Sequence, residues 1–490
     1  MLRSTFLIGV TGLWITMMSL LVRREYFEFT PIQSQQEVLL FEYYDYRQEY
    51  KAIDLGKEQV GFTSTALEPL KNPKEGYELR HKTYLSFLFL GRDREMLING
   101  KAKLDPHLGL KEFTLKISSG DYWTSMRGQI TGGTLNLVME SAESQPTRRL
   151  IPVKGPVFYS EALGFVWTPA NLKLGKQGKF DIFNPMAMAF QELRFSIREK
   201  QKIVFKGREI ETWVVHFDLQ GLETRAWISP EGVVLREESP TGLMMEKEDA
   251  WKIFDTMRKK RETPTDLPHL FSIPSNLVLE NPEALERMKL KLQSGNQIKE
   301  LEIKKIHWDQ IPEASLPPAG TASLPVQGKP GEFDAELAST PWIQANDPAI
   351  LAKAREITAG EKSSLQAALK IMDWVHQNVV PVPTISLPQA KDVLTLKKGD
   401  CNEYTVLYTA LARAAGIPAR MIAGIVYQNG RFFYHAWPEV FVGHWVGLDP
   451  TFGQAPVDVT HIPLASGDME QQVALVNQIG RIRVTILEAK

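Results

Sequence analysis

In the first half of the chain, apolar and polar residues alternate with a period of two between closely spaced turn signals, the pattern of half-buried β-strands. Within about Gln36 to Ala250, Tyr77–Leu90, Glu95–Leu104, Phe113–Ser118, Tyr122–Thr131 and Leu135–Met139 read as successive strands. After a Pro/Gly-containing interval, a second set is punctuated by Lys206-Gly207, Gln220-Gly221, Pro230-Glu231-Gly232 and Pro240-Thr241-Gly242. Turns at such short intervals predict an antiparallel meander, with Trp213, Phe217 and Trp227 expected in its core.

The pattern then changes. Met288, Leu290 and Leu292, followed by Ile298 to Ile306, predict a few connecting strands, and the Pro/Gly-rich run Ile311–Thr340 reads as an extended linker and a domain boundary. Helical signals follow. Asp347-Pro348 is an N-cap with proline at the first helical position, and that helix ends at Gly360. Ser363–Asn378 places Leu365, Ala368, Leu369, Met372 and Val375 on one face and carries Trp374 and His376 as packing or surface residues. Val379–Thr395 reads as a proline-rich loop, and Cys401–Ala415, stopped by Gly416, as a helix. Ala419–Tyr427 and Arg431–Phe441 are strands joined by Asn429-Gly430, a strong hairpin signal, and Trp445–Leu448 is a third. The fold class is therefore α+β. An antiparallel, curved-sheet β domain at 36–255 and connecting strands with the linker at 256–340 precede a helical lobe plus antiparallel sheet at 341–490.

Composition narrows the function. The formal charge is −1, from 57 basic and 58 acidic residues, which provides no field to gather nucleic acid. A single cysteine excludes an internal disulfide framework and any multi-cysteine metal site. No cofactor motif, calcium loop or metal-ligand cluster stands out, so neither cofactor nor metal is expected. Thr5–Val22 is uncharged, bounded by Arg3 and by Arg23-Arg24, and just long enough to span a bilayer. Its end, with Met17, Met18, Leu20 and Leu21, lacks the small residues of a cleavage site, so residues 1–24 are expected to be an uncleaved inner-membrane anchor. The arginine pair after the span favours a cytoplasmic body. A single N-terminal span before a large soluble body ordinarily acts as an export signal, and the exported topology, periplasmic or extracellular, is the expectation.

The lone thiol is the candidate centre of chemistry. Asp400 and Glu403 form a capping box, so the helix begins at Cys401, where amide N–H groups and the positive end of the dipole favour thiolate. A catalytic thiol also needs a base and a group that orients it. His435 lies mid-strand and Asp449 ends the next strand. If Val442-Gly443-His444 is a three-residue loop, Phe441 pairs with Trp445, Trp437 with Asp449, and His435 shares a face with Asp449 at a diagonal. A two-residue loop would put Asp449 on the opposite face unless a bulge intervened, and Pro438 could mark one. Trp437 is a candidate wall of a substrate cleft. His444 is expected in solvent, and His461 is expected to be structural.

Gly399-Asp400-Cys401-Asn402-Glu403, Leu411-Ala412-Arg413-Ala414-Ala415-Gly416-Ile417-Pro418-Ala419-Arg420, His435-Ala436-Trp437 and Asp449-Pro450-Thr451, in that order, resemble the core of the transglutaminase-like superfamily. The resemblance implies a papain-like α+β fold with Cys401 as nucleophile, His435 as general base and then acid, and Asp449 orienting His435. An oxyanion would be held by the backbone amides of Cys401 or Asn402. Both hydrolysis and acyl transfer to an amine, through a thioester, are consistent with it. The second β set, around Thr224–Ile228 and Pro230–Glu237, resembles more weakly the curved sheets of bacterial envelope proteins related to lipoprotein carriers, which implies a lipidated or extended ligand. Two expectations follow: a membrane-anchored cysteine hydrolase acting on peptide or protein amides, or a non-catalytic envelope binding or scaffold protein.

Overall fold

The computed structural model describes residues 46–89, 92–185, 188–239, 242–258, 272–294, 297–308, 331–384, 386–467 and 482–490. The expected anchor at 1–24 lies outside them, and among the described residues no helix is long and apolar enough to cross a membrane.

The alternating half of the chain forms one 15-stranded sheet, antiparallel except where Val157–Phe158 runs parallel to Gln177–Asn184. The period-two pattern determines its faces. In Arg92–Leu104, Met96, Ile98, Ala102 and Leu104 are buried while Asn99, Lys101 and Lys103 are exposed. Strands follow one another through hairpins, and Lys206 with Gly207 turns at φ 48° and 75°, the left-handed pair that a tight right-twisted hairpin requires. Arg47–Leu55 pairs with Leu243–Lys247, so the first and last strands of the sheet are neighbours and its two halves form one continuous surface. A short 3₁₀ segment, Ser160–Phe165, packs Ala162, Leu163 and Phe165 into the same core. Of the three aromatics expected inside, Phe217 enters this core. Trp227 points the other way into a small cluster with Ile203, Val214 and Leu235. Trp213 is half-buried, with Lys200 Nζ 4.3 Å above its ring.

The second half builds a sheet in the order Ile273–Pro274, Arg431–Phe441, Ala419–Gln428, Ile462–Gly467, with Trp445–Gly447 pairing the far end of Arg431–Phe441 on the same side as Ile273–Pro274. The helix Cys401–Ala414 packs against it, and the helices Pro348–Ile357 and Ser364–Asn378 pack against Cys401–Ala414 and each other. Two features depart from the sequence pattern. Inside the stretch read as a loop, Ala390–Leu396 is a helix: Ala390 and Val393 face the core, and the prolines that obscure this periodicity lie before its first turn, where they are tolerated. In the last part of the stretch read as a linker, the Phe333 ring lies 4.6 Å from Phe441 at a tilt of 37°, and Asp334–Leu337 turns helically after it. Gln297–Lys304, Arg287–Ser294 and Ile482–Ala489 form a three-stranded sheet, and Val380–Pro381 pairs parallel with Lys398–Gly399 just before Cys401.

The hairpin ends of the large sheet rest on the segment that leads into Cys401. Tyr122 Oη donates to the Lys398 carbonyl at 2.6 Å, and Asp121 pairs with the Lys398 ammonium. Asp392 Oδ1 accepts from Ser141 Oγ, Glu143 N and Ser144 Oγ at 3.0, 2.9 and 3.0 Å.

Candidate active site

The helix start forms as its cap chemistry dictates. Asp400 accepts from the Asn402 amide at 3.2 Å, and Glu403 Oε2 accepts from the Asp400 amide at 2.9 Å, which closes the capping box. Both carboxyls are also held from the preceding loop, by Thr384 N at 2.8 Å and Ser386 Oγ at 2.5 Å. Gly399 permits this. Its φ is 153°, and a Cβ there would lie 2.3 Å from the Glu403 Cβ. Burial, then the neighbouring Glu403 and Cys401, push the Asp400 carboxyl well above the usual range.

His435 is set by its strand partner. It faces Gly424, where a Cβ would come 2.2 Å from the Ile462 carbonyl and 2.6 Å from the Trp437 ring. Phe452 stacks on the imidazole at 4.7 Å and 9°, and Trp437 lies at 6.0 Å on the same strand. The loop is the three-residue one, with Phe441 opposite Trp445 and Val440 opposite Val446. The ladder ends at Glu439–Gly447, so Trp437 and Asp449 do not pair as the register extrapolates. Instead, Leu448 N donates to the Pro438 carbonyl and the chain turns at Asp449, which bridges Gln454. Pro438 sits in register opposite Met421 without a bulge.

This turn brings Asp449 Oδ2 to 2.6 Å from His435 Nε2. Its Oδ1 accepts from the amides of Thr451 and Phe452 at 2.8 and 3.1 Å. Burial alone would raise the Asp449 carboxyl, but His435 and His461 hold it well below the usual range. For His435, burial opposes charge and is outweighed by Asp449 and Cys401, so its pKa rises to about 10. With Nε2 engaged, the nitrogen left for the thiol is Nδ1, and Cys401 is among the groups that raise the imidazole. Cys401, His435 and Asp449 are all 0 % exposed.

With this geometry in hand, residues 351–450 match the Transglutaminase-like superfamily. The chain carries a transglutaminase-like core. Residues 41–248 match a family of proteins of unknown function, DUF3108. No curated protein matches the chain. Among solved structures, a candidate cysteine protease from Cytophaga hutchinsonii is similar at 19 % identity and a TM-score of 0.28, over 42 % of this chain and 76 % of its own. A β-barrel-like protein from Brucella abortus, of the family of unknown function DUF1849, is similar at 10 % identity and a TM-score of 0.31, over 41 % of this chain and 94 % of its own.

Not every residue singled out in the sequence lies where it was expected within the transglutaminase-like core. Trp437 is 1 % exposed and meets the His461 ring edge-on at 5.1 Å, so it backs the histidine instead of walling an open cleft. The Asn402 amide is engaged by Asp400, which turns it from an oxyanion to its own cap. His444 is half-buried, not solvated. Two residues gain a place. His376 Nδ1 bonds the Pro450 carbonyl at 2.9 Å, behind the Asp449 turn. His461 Nε2 lies 3.2 Å from Asp449 Oδ2. Neither was legible, because both contacts depend on where separate segments cross. His435, Asp449 and His461 also have the clustering of metal ligands. However, two atoms bound to one tetrahedral zinc at about 2.0–2.1 Å would stand about 3.3 Å apart, whereas His435 and Asp449 are at the 2.6 Å of a charge-assisted hydrogen bond.

Proposed function

We propose that the protein is a cysteine amidase or peptidase, or an acyl transferase, acting on amide bonds of peptides or proteins through Cys401, His435 and Asp449. The observation that carries the proposal is the buried His435–Asp449 pair at 2.6 Å, with the remaining imidazole nitrogen left to serve the thiol of the capped helix. In this reading the Cys401 thiolate attacks the amide carbonyl, and the Cys401 amide N–H stabilises the oxyanion. His435 then gives its proton to the leaving amine as the C–N bond breaks, leaving a thioester. Water or a second amine displaces the sulfur, its proton returning to His435. Because the three residues are closed off, turnover includes an opening step.

The apolar run Thr5–Val22 supports an inner-membrane anchor with the body exported, where envelope peptides or proteins would be substrates and the β domain could hold a lipidated or extended ligand. The test is mass-spectrometric capture of an acyl or electrophile adduct on Cys401 from envelope extracts. Full hydrolytic activity in Cys401→Ala would end the proposal, and a reporter fused after Lys490 that works only in the cytoplasm would end the exported topology.

A further inference from the structure

We infer that His461, held by Asp458, is a positioning residue of this site: a standing imidazolium that shares Asp449 with His435 and thereby limits how tightly Asp449 holds the His435 proton. The inference rests on the proposed roles of Cys401, His435 and Asp449.

The ring of His461 is 3 % exposed and has a carboxylate at each nitrogen, Asp449 Oδ2 at 3.2 Å from Nε2 and Asp458 Oδ1 at 3.4 Å from Nδ1. A neutral imidazole donates from one nitrogen and accepts at the other, and an accepting nitrogen facing a carboxylate oxygen is repelled. Both carboxylates are committed acceptors. Asp458 takes Thr460 N at 2.7 Å, Thr460 Oγ1 at 2.6 Å and Gln454 Nε2 at 2.9 Å, while Asp449 takes two amides and His435. Both ring nitrogens of His461 therefore donate, and the ring is charged. Its surroundings agree in direction: although burial alone would lower the pKa of His461, its two carboxylate partners raise it. In Asp458, burial is outweighed chiefly by His461, and its pKa falls to about 2.

Among the described residues, the charged or titratable groups facing His461 are Asp449, Asp458 and His435, whose ring centroid is 5.9 Å away. Those facing His435 are Asp449, Cys401 and His461. His376 stands behind the same turn, on the Pro450 carbonyl. Two carboxylates are thus matched by two imidazolium ions, and the Cys401 sulfur faces one of them. If His461 lost its charge, the Asp449 charge would fall on His435 alone, and at this separation the His435 titration would move up by roughly one to two pH units. The base would then be slower to release its proton to a leaving amine.

The test uses full-length protein labelled with ¹⁵N-histidine, in a Cys401→Ala background that removes the influence of the thiolate on His435. We expect both His461 nitrogens to be protonated through neutral pH. We expect His461→Gln and Asp458→Asn each to raise the His435 midpoint by about one unit. The shared direction is diagnostic, because loss of the Asp458 charge acting directly on His435 would lower that midpoint. A neutral His461 at neutral pH, an unchanged midpoint, or shifts of opposite sign would overturn the inference. If His461→Gln does not fold, the ring state of the parent and Asp458→Asn still decide. If no acyl adduct ever forms on Cys401 while both shifts appear, the proposed reaction falls and the charge sharing stands.

Discussion

Asp449→Asn isolates the contribution of one carboxylate. The side-chain oxygen of asparagine can still accept from the Thr451 and Phe452 amides, so the turn should persist. Its NH₂ would then face His435 Nε2, which must accept, and the proton moves to Nδ1, the nitrogen meant for the thiol. The rise of His435 from 6.5 to about 10 amounts to roughly 5 kcal/mol of preference for the imidazolium. Without the carboxylate most of this disappears, His435 no longer offers the sulfur a cation at neutral pH, and Cys401 returns toward the about 8.5 of a free thiol. At pH 7 the thiolate fraction then drops about 30-fold, and amide turnover by on the order of 10⁴, the penalty of a wrong tautomer in an acyl-transfer triad. The assay is the rate of iodoacetamide alkylation across pH, and with a single cysteine every adduct reports on this site. Because burial slows both proteins, the midpoint of the profile is the readout. An Asp449→Asn protein with the parental midpoint would refute the reasoning.

Glu161, fully buried, has its pKa raised by burial to about 7, so its stabilisation is complete below the unfolded value near 4.5 and is lost as pH rises through 7. Glu161→Gln should therefore raise the melting temperature at pH 8 relative to the parent, more than it does at pH 5. His81 is held neutral by burial, its pKa lowered to about 3, so its contribution is present above about 6.5 and lost as pH falls toward 3; His81→Gln should flatten the acid limb of a stability profile. Asp392→Ala removes the acceptor of three hydrogen bonds from the β domain and should cost about 1–3 kcal/mol in chemical denaturation. Gly424→Ala forces a Cβ against the Ile462 carbonyl and the Trp437 ring, so we expect a lower melting temperature together with slower alkylation of Cys401; a stable protein with parental alkylation would show that the strand yields there.

Much of this was legible in the chain because the deciding signals are local. The capping box and the Asn429-Gly430 turn each depend on a few consecutive residues, and the structure has both in place, whereas the loop at Val442-Gly443-His444 was open between two lengths until the pairing of Phe441 with Trp445 decided it. The extrapolation of the ladder to Asp449 failed where local order yields to a turn: the carboxylate reaches His435 from beyond the last pair, not from within it. His461 was read as structural because its approach depends on Ile462–Gly467 crossing to Ala419–Gln428, a long-range pairing that no periodicity announces. The facing of Trp227 was missed because buried clusters lie on both sides of the sheet around it, which period-two reasoning treats as one inside and one outside.

The strand Ile482–Ala489 runs beside Arg287–Ser294, with Met288 opposite Ala489. During synthesis that pairing must wait for about 200 residues to leave the ribosome, and contacts of such separation form slowly. The His435–Asp449 and Asp449–His461 contacts span only 14 and 12 residues. The residues of the charged array all leave the ribosome before Ile482–Ala489, so the thiol and its base can meet before that strand has paired.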